Sequence, residues 1–503
     1  MSTRRMLRGG AAAALGLVAA ATTLTTAVAA ATGPATLDAL AGAVAVAGDA
    51  PGALVATETA EQPRRRGRGG RGPGSGAGSG DGPAADEADG GSGSDDDAEE
   101  PLVRDDEYLA ITGGTVHTVS GGVRHGITIL CRNGRIVEMG PRVRIPEGAT
   151  IVDATGHHVY PGLVAVQSSG IVGGGNPADS TDPFSFSMTL GLAGGITTAI
   201  TGNGAAKLTF GTLDDHVLAT NLWRSISYDT RNPRGRARLR GALDEAREHL
   251  RERARYELER RVNPDAKEPA RPRGQAAELL PLLTGEARAL ISANGVHEIL
   301  QACDLADEYG IEIVILGGVE AWTVADRLGR SGVSVILRPR QISEPNENLM
   351  RENGSTIQNA AILHAHGVPV AVTPAGSLFG GGSGISLGGL AGRDNLHLPM
   401  AAAFTVRGGL SNADAIRTIT LDAARVLGID DRVGSIDVGK DADFAITDGD
   451  LLHYMTHVQW TIVNGRIAYD KSKDTLFSHI RPADDSAEAE PDDYWPRRLG
   501  DGP

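Results

Sequence analysis

His364-Ala365-His366 is the one His-x-His in the chain, and paired imidazoles are a common metal donor set. Here they fall in ILHAHGVPVAV, on a helix end leading into a strand, where residues i and i+2 point apart. They therefore read as packing rather than metal ligands. His157-His158, just before a strand, reads the same way. His453 and His457 would share a face on a helix, but nothing acidic or thiol converges on them in sequence. Gly380-Gly381-Gly382-Ser383-Gly384 lacks the lysine and spacing of a phosphate loop and reads as a flexible loop after a strand. Arg338 and Arg340 are two apart at a strand end, which predicts a shared face. Two such guanidiniums suit a carboxylate or another anion; the alternative is that each pairs with a surface acid. No Ser-His-Asp or Cys-His nucleophile arrangement is recognisable by motif, so no catalytic residue is assigned.

The elements around these residues read as α/β. GITTAIT, LWRSISY, ALISA, IEIVILG, VSVILRP and PVAVTPA are short apolar strands, most followed by helical stretches. That alternation predicts a parallel sheet, and the length from Pro161 to Gly428 is near the roughly 250 residues of a (β/α)8 barrel. His364 and His366 then fall at the bottom of that barrel, away from the usual active face. Before it, YLAITGGTVHTV, GITILCRNGRIVEMG and ATIVDATGHHVYPG read as short strands, with Asn133-Gly134 as a type I′ hairpin signal. After it, VGSIDVGKDADFAITDGD and VQWTIVNGRIAYD read likewise, with Asn464-Gly465 as a second such signal. Two distant β segments flanking one α/β region predict a composite β-sandwich built from 107–160 and 429–472, around a barrel at 161–428. From Arg231 to Lys267 an Arg/Glu/Ala-rich pattern predicts a charged, exposed helical arm, either solvated or a subunit contact.

The 503 residues suffice for such a barrel and a smaller partner domain. The formal net charge of -15 is unevenly spread, with twelve acidic residues against Arg104 alone from Asp81 to Glu107. The folded part is therefore closer to neutral, and the balance gives no support for nucleic-acid binding. Cys131 and Cys303 fall in different expected domains, which argues against a disulfide framework. Residues 1–31 read as a signal peptide: Thr3-Arg4-Arg5-Met6-Leu7-Arg8, an Ala-rich apolar run, and Ala27-Val28-Ala29 as a small-x-small cleavage pattern. The paired arginines resemble a twin-arginine signal, so the expected location is the periplasm or the exterior. The run is also about long enough to remain as an anchor; its Ala and Thr content favours cleavage and no stable membrane insertion afterwards. Residues 32–106 read as a Gly/Ala-rich, then acidic, linker unable to bury enough apolar surface to order itself, and 473–503 as a polar tail.

ITGGTVHTV, NGRIVEMG, IVDATGHHVYPGLV, TLDAARVLGIDDRVGSIDVGKDADFAITDGD and IVNGRIAYD together resemble the amidohydrolase superfamily, from about Leu109 to Asp470. GLAGGITTAITGNG, EILQACDLADEYGIEIVI and VEAWTVADRL further resemble its imidazolonepropionase-like branch. The resemblance implies one or two metal ions, usually Zn²⁺, held by a His-x-His after the first barrel strand, histidines after the fifth and sixth, and an aspartate after the eighth. Such an ion brings the pKa of bound water to roughly 7. In PGLVAVQSSG the first two ligands become Gln167 and Ser169, and the usual Asp before them becomes Ala165. ISANG puts Ser292 and Asn294 at the fifth strand, the sixth-strand histidine falls at Gly317, and the eighth-strand Asp falls at Pro374. No fourth-strand lysine stands near Leu222-Trp223-Arg224. Gly and Pro offer no side-chain donor, and Ser, Gln and Asn are poor Zn²⁺ ligands, so no metal or other cofactor is expected.

What remains at the expected barrel mouth is a polar set: Gln167, Ser169, Asn203, Ser292, Asn294, Arg338, Arg340 and Ser377. The expectation is an exported, non-catalytic homologue that binds a small anionic ligand, self-associates, or assembles with an active paralogue. The alternative is a hydrolase acting on non-peptide C–N bonds, of amide or cyclic imide type. A third reading is a cell-envelope structural protein whose linker spaces a folded domain from the membrane.

Overall fold

The computed structural model describes residues 106–228, 231–374, 385–386 and 397–473. The expected signal peptide, nearly all of the linker, the tail beyond Lys473, the Gly380–Gly384 loop and Ser377 lie outside the described residues.

Both Asn-Gly pairs sit at positive φ, 50° and 79° at Asn133 and Gly134 and 50° and 70° at Asn464 and Gly465, the backbone a type I′ hairpin requires. The first joins Thr128–Arg132 to Arg135–Gly140 in a four-stranded sheet completed by Tyr108–Thr112 and Thr150–Asp153. The second joins Val458–Val463 to Arg466–Asp470 in a six-stranded sheet. That sheet contains strands from both ends of the described chain, because Phe444–Thr447 pairs antiparallel with His158–Pro161. One apolar cluster joins the two sheets, with Leu109, Ile129 and Ile136 from the first and Val159, Phe444 and Ile462 from the second. Cys131 lies in this cluster and Cys303 in another, both thiols free and buried. Burial pushes them up to about 12 and about 11, which leaves them chemically quiet.

The α/β region has five parallel strands in sequence order: Trp223–Ser225, Arg288–Ala293, Ile313–Gly317, Ser334–Leu337 and Val370–Val372. Leu163–Ala165 and Ile196–Thr201 form a second parallel pair. This fold is of the TIM-barrel type, but among the described residues its strands do not form one closed eight-stranded barrel, the arrangement expected from sequence. After Ile196–Thr201 the chain turns back antiparallel through Gly204–Lys207 and Val217–Ala219. Single backbone bonds bridge the two gaps: Leu222 N–H to Asn203 O at 2.9 Å on one side, and Val372 N–H to Thr418 O and Val164 N–H to Ile419 O on the other. Along the strands, alternate residues serve two apolar layers. Val164, Val314, Ile336 and Ala371 pack with the helix Leu421–Leu427, whereas Leu163, Ile313, Val335 and Val370 pack with the flanking helices. This two-sided burial is why the strands read as unbroken apolar runs.

The charged arm is the helix Pro233–Arg260, started by Asn232 accepting from Gly235 N–H. Its first half buries Leu239, Leu243 and Ala246, and beyond His249 it is almost wholly exposed.

The sheets and the α/β region are joined by a buried ionic cluster that no motif announced. Lys207, fully buried, donates to Asp441 at 2.6 Å, to Asp443 at 2.9 Å, and to Asn464 Oδ1. Arg432 and Arg135 also reach Asp441, and Arg432 pairs with Asp215. Burial pushes the Asp443 carboxyl above its ordinary value, opposed by the nearby Lys207 ammonium. Removing the cation would leave two buried carboxylates under-compensated. Lys207→Met is therefore expected to lower the unfolding free energy by about 3–5 kcal/mol, read from urea denaturation; a loss under about 1 kcal/mol would mean that the cluster is not a structural joint.

Candidate functional site

The carboxyl ends of parallel strands are where α/β folds of this type place their chemistry. Strand Ile313–Gly317 ends on Gly317 at φ +111°, a backbone conformation that L side chains rarely adopt. A Cβ built there would lie 2.3 Å from Asn294 Oδ1, at the end of the neighbouring strand. Asn294 is itself set by the next helix, since its N–H and that of Gly295 donate to Glu298. Two of the positions singled out in the sequence thus fit each other: the space beside Gly317 is taken by the Asn294 side chain. Ser292 stands exposed two residues earlier on the same strand. Pro374 follows Val370–Val372, directly after Thr373, whose N–H donates to Leu337 O.

The other described members of the expected polar set have surroundings of their own. Gln167 is half-buried just past Leu163–Ala165, and Ser168–Ser169 pairs in parallel with Ile385–Ser386. Asn203 holds the fold together, its Oδ1 accepting from Trp223 N–H at 2.9 Å and its carbonyl from Leu222 N–H. The expectation that Arg338 and Arg340 share a face is corrected. The strand stops at Leu337, and Arg338-Pro339-Arg340-Gln341 forms a turn closed by Gln341 N–H to Arg338 O. Period-two alternation therefore does not extend to the arginines. The Arg340 guanidinium lies 5.1 Å over the Phe404 ring and 4.0 Å from Met400 Sδ, on the helix His397–Arg407. Arg338 instead lines a small pocket with Gly317, Gln341 and Asn359. Neither arginine has an acidic partner among the described residues.

His364 and His366 each have a partner of their own. His364 faces Asp414 at 3.5 Å, while His366 Nδ1 caps Ile362 O at 2.9 Å. The segment holding His453 and His457 is turns rather than helix, so the two do not share a helical face. His158 does find a partner that spacing did not reveal. Its Nδ1 lies 2.9 Å from His117 Nε2, across adjacent parallel strands, and both rings stack on Tyr160. Burial, then His158, pull the His117 pKa down to about 4, with Asp450 opposing and His125 adding to the fall.

Residues 310–475 match the amidohydrolase family model, so the superfamily resemblance carried by the motifs is borne out. No curated protein matches the chain. Among solved structures, it is similar to an amidohydrolase from Thermotoga maritima MSB8 at 20% identity and a TM-score of 0.55, over 72% of this chain and 100% of that one. It is also similar to a β-aspartyl dipeptidase from Fervidobacterium islandicum AW-1 at 14% identity and a TM-score of 0.41, over 72% and 97%. The Thermotoga likeness is one of fold.

Gly317→Ala is expected to cost about 1–3 kcal/mol. Adding Asn294→Ala clears the contact but not the positive φ, so the double variant should recover only part of the loss in urea melts. Full recovery, or no initial loss, would show that position 317 is not conformationally restricted. For His117 the folded pKa lies below the ordinary 6.5, so the unfolded chain binds the proton more readily. Its contribution is present above pH 6.5 and is lost as pH falls towards 4, by roughly 1–3 kcal/mol. His117→Gln should flatten that part of the stability–pH curve; an unchanged slope would remove His117 as its source.

Proposed function

We propose that this amidohydrolase-superfamily chain is a non-catalytic homologue that keeps the family's α/β scaffold, and the β-sandwich expected beside it, for binding or assembly. The observation that carries the reading is Gly317. At the position expected for the sixth-strand histidine there is no side chain, the backbone is at φ +111°, and Asn294 Oδ1 fills the space a Cβ would need. Ser292, Gln167 and Pro374 at the other expected positions supply no imidazole or carboxylate. The residues present do not fit the zinc that the family implies, and no reaction step is derived through one.

The motif resemblance favours the imidazolonepropionase-like branch as the lineage of the scaffold. The leader-like residues 1–31 support export, with a periplasmic or extracellular location. Among the described residues no helix is long and apolar enough to cross a membrane. Partners consistent with the reading are a second copy of the chain or an active paralogue.

A second reading is favoured by the family match itself over 310–475. In it the chain is a hydrolase acting on non-peptide C–N bonds, of amide or cyclic imide type, through residues other than the usual ligands.

Elemental analysis of untagged protein, purified without chelators and incubated with Zn²⁺, separates the two. The expected result is folded protein without stoichiometric zinc and without hydrolysis of amide or cyclic imide substrates. One or more tightly held ions per chain, with metal-dependent turnover, would overturn the non-catalytic reading.

A further inference from the structure

Lys207 is placed for more than an ionic contact. Its fully buried ammonium donates to the side-chain carbonyl oxygen of Asn464, a residue 257 positions away. Asp443 bridges the same two residues. One of its oxygens lies 2.9 Å from Lys207 Nζ, and the other accepts from Asn464 N–H at 2.8 Å. Burial pushes the Asp443 carboxyl above its ordinary value. An amine, a carboxamide and a carboxyl able to hold a proton are the parts of an aminolysis, in which an amine displaces ammonia from an amide.

Three features suit the group to that reaction. The first is dryness. The side chains of Lys207 and Asp443 are 0% and 4% exposed, and without water an ion pair loses much of its advantage over the neutral amine and acid. Asp443 is the proton acceptor rather than Asp441, which already receives Arg135 and Arg432. The second is fixed position. Asn464 is held in its hairpin turn at φ 50°, and Lys207 by its strand and by its N–H to His216 O at 2.7 Å. Holding both reactants in place removes the cost of bringing them together. The third is an exit. Asn464 Nδ2 points toward Asp214 O and Asp215 O, at 3.3 and 3.4 Å, and these three residues line an open pocket of about 310 Å³.

We propose that Lys207 and Asn464 join in an intramolecular isopeptide bond, with Asp443 taking the proton. An ammonium proton passes to the Asp443 carboxylate. The freed Nζ lone pair bonds to Asn464 Cγ, and the carbonyl π electrons move to Oδ1. A proton then passes from Nζ to Nδ2, the carbonyl reforms, the Cγ–Nδ2 bond breaks, and ammonia leaves through the pocket. The products are a secondary amide, a neutral Asp443 carboxyl and one ammonia, so no oxidant or cofactor is needed. The charges stay balanced, because Arg135 and Arg432 then face Asp441 and Asp215. The bond would tie the α/β region to the last sheet without a disulfide, in a chain whose two cysteines are free and buried. It is independent of whether the chain is catalytic.

The test is mass spectrometry of the purified full chain, intact under denaturing conditions and after tryptic digestion. The expected mass is about 17 Da below that of the processed sequence, for one ammonia lost, with a branched peptide that joins the segments containing Lys207 and Asn464. Lys207→Met, Asn464→Gly, which keeps the turn, and Asp443→Asn should each show the full mass of its own sequence and no branched peptide. Asp443→Asn leaves both reacting side chains in place and so isolates the proton transfer. A native chain of full mass overturns the proposal. So does a loss of about 17 Da with linear peptides only, which marks a succinimide at an Asn-Gly turn, and so does a loss of about 18 Da, which marks condensation with an aspartate. A branched peptide in folded Asp443→Asn overturns the role of Asp443. If the variants do not fold, the peptide map of the native chain decides alone.

Discussion

The fold turns on one buried lysine. Lys207 ends a strand of the α/β region, and both of its carboxylate partners, with Asn464, come from the sheet built by the far end of the chain. With Arg135, Arg432 and Asp215 the group holds three cations and three anions, so the joint is close to neutral although its centre is dry. A buried ion cluster of this kind adds little net stability compared with an apolar plug, but it tolerates few alternative arrangements. Around it the two Asn-Gly turns abut. Ala442 N–H donates to Gly134 O, and Gly465 N–H donates to Ala442 O. The link to the α/β region is equally tight, since a Cβ at Gly162 would lie 2.0 Å from Thr197 Oγ1. The sheet frame and the first parallel strand are thus fixed to each other within a few residues.

On the proposed non-catalytic reading, that rigidity lets the strand ends differ in chemistry from the family pattern without loss of the fold. The apolar layers lie on both faces of the strands and contain Ala165 but none of Gln167, Ser292, Asn294, Gly317 and Pro374. Gln167, Ser292 and Asn294 lie at or past those ends, where exchange of one polar group for another disturbs little packing. Gly317 differs because it is matched to its neighbour. Once Asn294 occupies the space and the backbone has gone to positive φ, a histidine cannot return there without two adjustments.

Much of the fold was legible because its signals are local. Asn133-Gly134 and Asn464-Gly465 mark their hairpins through a φ preference that acts within two residues. The apolar strands marked the α/β region by the two-sided burial they experience. The failures all involve distance or a broken period. No local pattern marks Lys207, because its partners Asp441 and Asp443 lie more than two hundred residues away. The antiparallel return through Gly204–Lys207 and the bridging role of Thr418 and Ile419 depend on how the edges meet, which no single segment encodes. Arg338 and Arg340 were paired by extending strand alternation past Leu337, although Pro339 ends the pleat between them.

Separating the two arginines changes the meaning of each. Arg340 reaches an aromatic face and a thioether, where a guanidinium sits comfortably without an anion. Arg338 has no such surface. Its Nε is buried without a hydrogen-bond partner among the described residues. Burial of that one nitrogen without a partner opposes folding, although the side chain as a whole is only half-buried.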